Sequence, residues 1–259
     1  MPHEAIQSVL VTGSSGKIGR SIVPSLLDAK LDVHGFDAGP PDQGRPNPCP
    51  TRYGDLTDPN AVHAAIEGHD ALIHLAANPS THADLRNQLV GPNIIGLQNV
   101  LHAAVDQGVR RIILASSVQA TLFDRRPHRP HLDSQGARNW YGLTKVFAEH
   151  AGAMFHQKYG VDVIAVRIGW FMTRPRNRRW IEEAKEQDAY LSRHDAQRFF
   201  TAAVTADWSG FHVLYAMSAP QDPSDPKYDL QPSREVIGYT PEHRYPEGLI
   251  DTPNHRASA

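Results

Sequence analysis

Tyr141 and Lys145 stand four positions apart in Tyr141-Gly142-Leu143-Thr144-Lys145. At that spacing a phenol and an ammonium lie on one face of a helix, one turn from each other. The ammonium favours phenolate over phenol and lowers the tyrosine pKa toward a value useful for a base. Ser117 closes an earlier apolar run, Arg111-Ile112-Ile113-Leu114-Ala115-Ser116-Ser117. From the end of a strand its hydroxyl can hydrogen-bond the same substrate oxygen and fix its position. Together the three side chains describe proton removal from a substrate hydroxyl, with Tyr141 as the base.

That chemistry needs an electron acceptor, and the N-terminal stretch supplies a place for one. Val9-Leu10-Val11 reads as a buried strand that stops at Thr12-Gly13. A helical pattern, Ile18, Ile22, Val23, Leu26 and Leu27, begins directly after. Gly13, Gly16 and Gly19 therefore sit on the turn from strand to helix, with Ser15, Lys17 and Ile18 between them. Missing side chains let a pyrophosphate reach the backbone there, and the helix N-terminus meets its negative charge. Asp37 closes the next apolar run about 20 residues on, where a carboxylate accepts from a ribose 2′-hydroxyl. The pattern reads as a dinucleotide site, and an oxidised nicotinamide would add a second positive charge beside Tyr141.

The intervening chain alternates strands and helices. A breaker-rich loop from Ala38 to Pro50 leads to a short strand and its exit, Tyr53-Gly54-Asp55-Leu56. Asp55 and Leu56, at that strand's C-terminal end, are cofactor-side candidates. Pro59 to Glu67 reads as a helix ended by Gly68. Ala71 to Ala77 is a buried strand whose end, Leu75-Ala76-Ala77, is small enough for a cofactor to pass closely. Helical periodicity runs from Asp84 to Asp106, with Pro92 expected to kink or offset it. A polar, basic loop from Phe123 to Arg138 precedes a long helix, Asn139 to Tyr159, ended by Gly160. Val163 to Ile168 supplies another strand, with Ile168 at its cofactor-facing end. Sustained βαβ alternation argues an α/β fold, a Rossmann-type doubly wound parallel sheet with right-handed crossovers. Residues 1–169 form the dinucleotide-binding core. Residues 170–259, with helical pieces at 180–186 and 196–206, a strand at 211–217 and a short helix at 233–237, form a small substrate-capping region of the same unit.

Composition narrows the function classes. The 259 residues are 40% hydrophobic and 21% charged, ordinary for a soluble globular protein. A formal net charge of −2 gives no reason to expect nucleic acid or an anionic membrane as partner. The single cysteine, Cys49, offers no disulfide framework, and the 15 histidines show no metal-ligand spacing. No basic-then-apolar leader and no membrane-length run stands out, so a cytoplasmic setting is expected.

The sequence resembles the short-chain dehydrogenase/reductase superfamily in its extended, epimerase/dehydratase-like branch. The matching residues are Thr12-Gly13-Ser14-Ser15-Gly16-Lys17-Ile18-Gly19, Asp37, Asp55-Leu56, His74-Leu75-Ala76-Ala77, Asn93-Ile94-Ile95-Gly96, Ser116-Ser117 and Tyr141 to Lys145. The resemblance implies Tyr141 as general base, Lys145 as pKa modifier and ribose contact, Ser117 as ligand of the substrate oxygen, and Asn93 as the family's helix asparagine beside the cofactor. It implies NAD as cofactor, since the Asp37 carboxylate would repel the extra phosphate of NADP. Homo-oligomers paired through the helices beginning near Asp84 and Asn139 are common in the branch. Within it, Asn93-Ile94-Ile95-Gly96-Leu97, Val166-Arg167-Ile168-Gly169 and Tyr190-Leu191-Ser192-Arg193-His194-Asp195 look like uronate dehydrogenases and related NAD-dependent sugar dehydrogenases. Those enzymes oxidise the anomeric carbon of a cyclic sugar to a lactone. Arg179 matches an arginine that grips the uronate carboxylate. Two departures fall on the sugar pocket. Val118-Gln119 stand where uronate dehydrogenases have Asn-His, and Trp170 stands where they have a small serine. Ser80, Val118, Gln119, Trp170 and Arg179 join Ser117 and Tyr141 as candidate contacts to a small-molecule substrate. The other readings are a nucleotide-sugar epimerase or dehydratase, which would hold NAD without net consumption, and a non-catalytic NAD(P)-sensing protein. Sensors on this fold typically lose the tyrosine or the lysine; both are present.

Overall fold

The computed structural model describes residues 5–40, 46–121, 131, 133, 134, 136–172 and 178–249. Within them β1 (Ser8–Thr12), β2 (Asp32–Asp37), β3 (Thr51–Tyr53), β4 (Ala71–His74), β5 (Arg111–Ser117), β6 (Asp162–Ile168) and β9 (Phe211–Ala216) form one sheet. Its order is β3-β2-β1-β4-β5-β6-β9, and every pairing is parallel. The strands are apolar on both sides because both faces are covered. Val9, Val11, Ile113 and Ile164 pack under α1 (Gly19–Asp28), α6 (Arg193–Thr205) and α7 (Gln231–Ile237). Leu10, Leu72, Ile112 and Val163 pack under α2 (Pro59–Ile66), α3 (Gly96–Asp106) and α4 (Trp140–Tyr159). The chain leaves β1 toward β2 on one side and returns to β4 on the other. That reversal opens a crevice over the C-terminal strand ends, where a ligand binds in such sheets.

Local chemistry fixes the helix that carries Tyr141. The Asn139 side chain accepts from the Gly142 N–H at 2.8 Å and caps α4, and Gly160 ends it in the left-handed region at φ 72°. Asp58 caps α2, and Ser192 caps α6 by accepting from the Asp195 N–H. That cap starts α6 at Arg193, three residues ahead of the sequence expectation.

Other elements also differ from expectation. The third strand is Thr51–Tyr53, because Asp55 accepts from the Thr57 N–H at 2.8 Å and turns the chain out of the sheet. From Leu85 to Ile95 the helix is wound as wide π turns before α3 continues it. Pro92 has no N–H to give and its ring would strike a carbonyl one α-turn back; wider winding accommodates it. Past Gly169, β7 (Trp170–Phe171) pairs in parallel with β8 (Tyr190–Leu191), which follows the short helix α5 (Arg178–Glu183). Two residue pairs are too few to leave a period in the sequence. The basic loop at 123–138 lies largely outside the described residues, as do Arg174 and Arg176. Among the described residues no helix is long and apolar enough to cross a membrane.

Candidate active site

A cavity of about 660 Å³ runs along the C-terminal ends of β1, β2, β4, β5 and β6. It brings together Gly13, Gly16, Lys17, Ile18, Gly19, Asp37, Asp55, Leu56, Leu75, Ala76, Ala77, Ser117, Gln119, Tyr141, Lys145, Ile168 and Trp170, all expected from the sequence. Asn78, Pro79, Thr81, Gly169 and Phe171 also line it and were not expected. Phe171 rides on the two-residue strand beside Trp170, and Asn78 follows the small residues that end β4.

The glycine turn is built for close approach. Gly13 sits at φ 73°, and a Cβ there would stand 2.8 Å from the Ala76 nitrogen. A Cβ on Gly19 would strike the Gly13 carbonyl oxygen, so the first turn of α1 lies flat on the loop. Ser15 does not line the cavity; its backbone N–H donates to Asp37 Oδ2 at 2.9 Å. The Ala38 N–H donates to Asp37 Oδ1 at 2.8 Å. Both carboxylate oxygens are thus held from behind, with Asp37 on the cavity wall. This cradle, free of side chains at its centre and closed by a fixed carboxylate, fits a dinucleotide.

At the far end, Tyr141 hydrogen-bonds Ser117, whose Oγ also accepts from the Gln119 N–H at 3.2 Å. Lys145 Nζ donates to the Ala115 carbonyl at 2.8 Å and lies 5.6 Å from the centroid of the Tyr141 ring. The side chains meet as the spacing predicts; the direction of the tyrosine pKa does not follow it. Burial pushes the Tyr141 phenol up, and the Ser117 hydrogen bond only opposes that rise. Burial also pulls Lys145 down to about 8. Helical spacing reports which face the two groups share, but not the desolvation that both undergo there.

Residues 9–177 match the family described as the NAD dependent epimerase/dehydratase family, well over half of the chain. The chain belongs to that family. An NAD-dependent glucose-6-phosphate dehydrogenase from Haloferax volcanii is 32% identical over 91% of this chain and 93% of its own length. A uronate dehydrogenase from Pseudomonas putida is 33% identical over 81% of this chain and 76% of its own. Among solved structures, uronate dehydrogenase from Agrobacterium tumefaciens superposes with a TM-score of 0.74 at 28% identity, covering 93% of this chain and 86% of that one. A variant of that enzyme complexed with NAD gives 0.75 at 26% identity, covering 97% and 93%.

In this epimerase/dehydratase chain, four other sequence candidates lie off the cavity wall. Asn93 is buried, accepts from the Asn78 N–H at 2.8 Å and donates to the Asn78 carbonyl and to Thr144 Oγ1. It anchors the loop after β4 to α4. Val118 is wholly buried among Ala189, Tyr215 and Met217. Ser80 is exposed beside the lining residues Pro79 and Thr81. Arg179 has 89% of its side chain exposed and donates to Glu183 Oε1 at 2.6 Å.

His74, at the end of β4 and marked in the sequence only as part of the matching motif, is a buried titratable group. Thr12 Oγ1 lies 2.7 Å from its Nδ1 and itself accepts from the Ala76 N–H at 3.3 Å. Burial, with the charge of Lys145 second, holds His74 down to about 3. Since the unfolded state takes up a proton near 6.5 and the folded state only near 3, stability is full above 6.5. It falls as pH drops through that window, by about 5 kcal/mol in all. His74→Asn, which keeps a hydrogen-bonding side chain beside Thr12, is expected to flatten this part of the acid limb. Urea denaturation at pH 7 and pH 4 measures it, and an unchanged acid loss contradicts the assignment.

Proposed function

We propose that this NAD-dependent dehydrogenase oxidises a hydroxyl of a small sugar or sugar acid, forming a lactone at the anomeric carbon, with Tyr141 as general base. One observation carries the reading: Ser117, Tyr141 and Lys145 meet on one cavity whose other end is the glycine turn and Asp37. The relatives named for uronate and glucose-6-phosphate oxidation support the substrate class. The Gly13–Gly19 turn would hold the pyrophosphate at the start of α1, Asp37 a ribose hydroxyl, and Lys145 the second ribose, with Ala76, Ala77 and Ile168 as walls. Bound NAD supplies a hydride acceptor. Ser117 holds the substrate oxygen, and Tyr141 takes its proton as the carbon gives up hydride and becomes a carbonyl. Residues 170–259 furnish the substrate side, where Trp170 and Phe171 line the same cavity as Gln119, and Trp170 offers its face to the apolar side of a sugar ring. Arg179 is available to a carboxylate, because an exposed pair such as that with Glu183 is worth only about 0.5 kcal/mol. The enzyme works in the cytoplasm as a homo-oligomer. Trp140, Leu143, Phe147 and Met154 are exposed along one side of α4, which supports pairing with a second copy there.

The deciding experiment incubates the protein with NAD and D-glucuronate, D-galacturonate, glucose 6-phosphate or L-arabinose and follows NADH absorbance, with a parallel incubation on a nucleotide-sugar analysed for isomerisation. NADH production with at least one sugar is expected. No NADH with any of them, alongside isomerised nucleotide-sugar, sinks the dehydrogenase reading in favour of an epimerase.

A further inference from the structure

Gln119 is 5% exposed and lines the cavity beside Ser117 and Tyr141. Its backbone is fixed. Its N–H donates to Ser117 Oγ, and a Cβ on Gly142 would stand 2.5 Å from its carbonyl oxygen. Its side chain is fixed by a chain of hydrogen bonds whose polarity allows one solution. The Gly142 N–H can only donate, so the Asn139 atom that faces it at 2.8 Å is the oxygen. The other branch of Asn139 is then the amide nitrogen, which can only donate, and it meets Gln119 at 3.0 Å. Gln119 must offer its oxygen there. Its NH₂, with two donor protons, is left with no acceptor among the described residues.

We infer that Asn139 sets the polarity of the substrate wall: through it Gln119 presents donors only, and the substrate places an oxygen acceptor, such as a carboxylate, against them. Asn139 is in this sense a positioning residue, acting on substrate through Gln119 while it caps α4. The inference rests on the dehydrogenase reading for its substrate, but the orientation of the amide does not.

Asn139→Asp separates the two roles. Aspartate caps as well as asparagine does. It presents oxygen on both branches, so Gln119 must turn over to donate to it and face the cavity with its own oxygen. With whichever of D-glucuronate, glucose 6-phosphate or L-arabinose is oxidised, KM for the sugar is expected to rise about tenfold or more. KM for NAD and the thermal midpoint stay near the parent values. In a Gln119→Ala background the same substitution is expected to leave the sugar KM unchanged. An unchanged KM in the single variant overturns the inference, and so does an equal rise in the Gln119→Ala background, which would mark simple repulsion by the new carboxylate. Side-chain amide proton exchange, followed by NMR, reads the orientation without turnover. The Asn139 amide is expected to be protected in the parent, and the Gln119 amide in Asn139→Asp. Protection of Gln119 in the parent overturns the inference. Should none of the sugars be oxidised, the functional reading fails while the amide exchange still decides this one.

Discussion

Tyr141→Phe is expected to cut kcat by about 10³-fold while leaving NAD affinity and folding nearly intact. The substitution keeps the ring volume and removes one oxygen. What that oxygen touches in the protein is Ser117, and Ser117 Oγ retains the Gln119 N–H, so little structural energy is lost. Neither of the buried groups His74 and Glu149 stands ready to replace the base. His74 is held far below neutrality as a proton acceptor and faces Thr12, and Glu149 is sealed under Ser116 and Arg167. Because burial pushes Tyr141 up, kcat/KM is expected to climb with pH on the acid side of its profile. Lys145→Met removes the ammonium next to the ring and should move that limb to higher pH, since phenolate loses a favourable charge. Steady-state rates across pH for the three proteins test both statements. Retained activity in Tyr141→Phe places the base elsewhere.

What could be read from the sequence was local. The glycine turn declares itself because strand, turn and helix are consecutive, and Asp37 because it ends the next strand of the same unit. Tyr141 and Lys145 are legible because a helix fixes how two residues four apart face each other. The losses are non-local. Phe171 reaches the cavity on β7, which exists only because Tyr190 and Leu191 come back to pair with it. Asn93, read as a cofactor neighbour, turns inward to bind both backbone groups of Asn78, a choice that depends on where the π-wound segment and α4 cross. Arg179 carries a family likeness, yet in the fold its geometry answers to Glu183 one turn away. Arg167 and Glu149 are ordinary charged residues in the sequence, and nothing there shows that β6 and α4 bury them against each other.

Arg167→Met should therefore destabilise the protein by about 3–5 kcal/mol, although it swaps a charged residue for an apolar one in a dry interior. Both side chains are 0% exposed. Glu149 Oε1 accepts from Arg167 Nε at 2.8 Å and from Ser116 Oγ at 2.6 Å, and its Oε2 accepts from Arg167 Nη2 at 2.8 Å. Without the guanidinium the carboxylate loses both of these charge-assisted hydrogen bonds in a dry interior. Glu149→Leu added to Arg167→Met removes the carboxylate as well and is expected to recover most of the stability, because apolar packing replaces a buried pair at little cost. Activity should not recover with it. Arg167 also donates from Nη1 to Ser134 Oγ and from Nη2 to the His131 carbonyl, each at 2.8 Å. It thereby ties the approach to Gly136, whose N–H donates to the Ala120 carbonyl beside Gln119. A double variant as stable as the parent but with lowered kcat/KM separates the clamp from the ion pair. Urea denaturation and steady-state rates read the two apart, and a loss under about 1 kcal/mol in Arg167→Met would show that the pair is not dry.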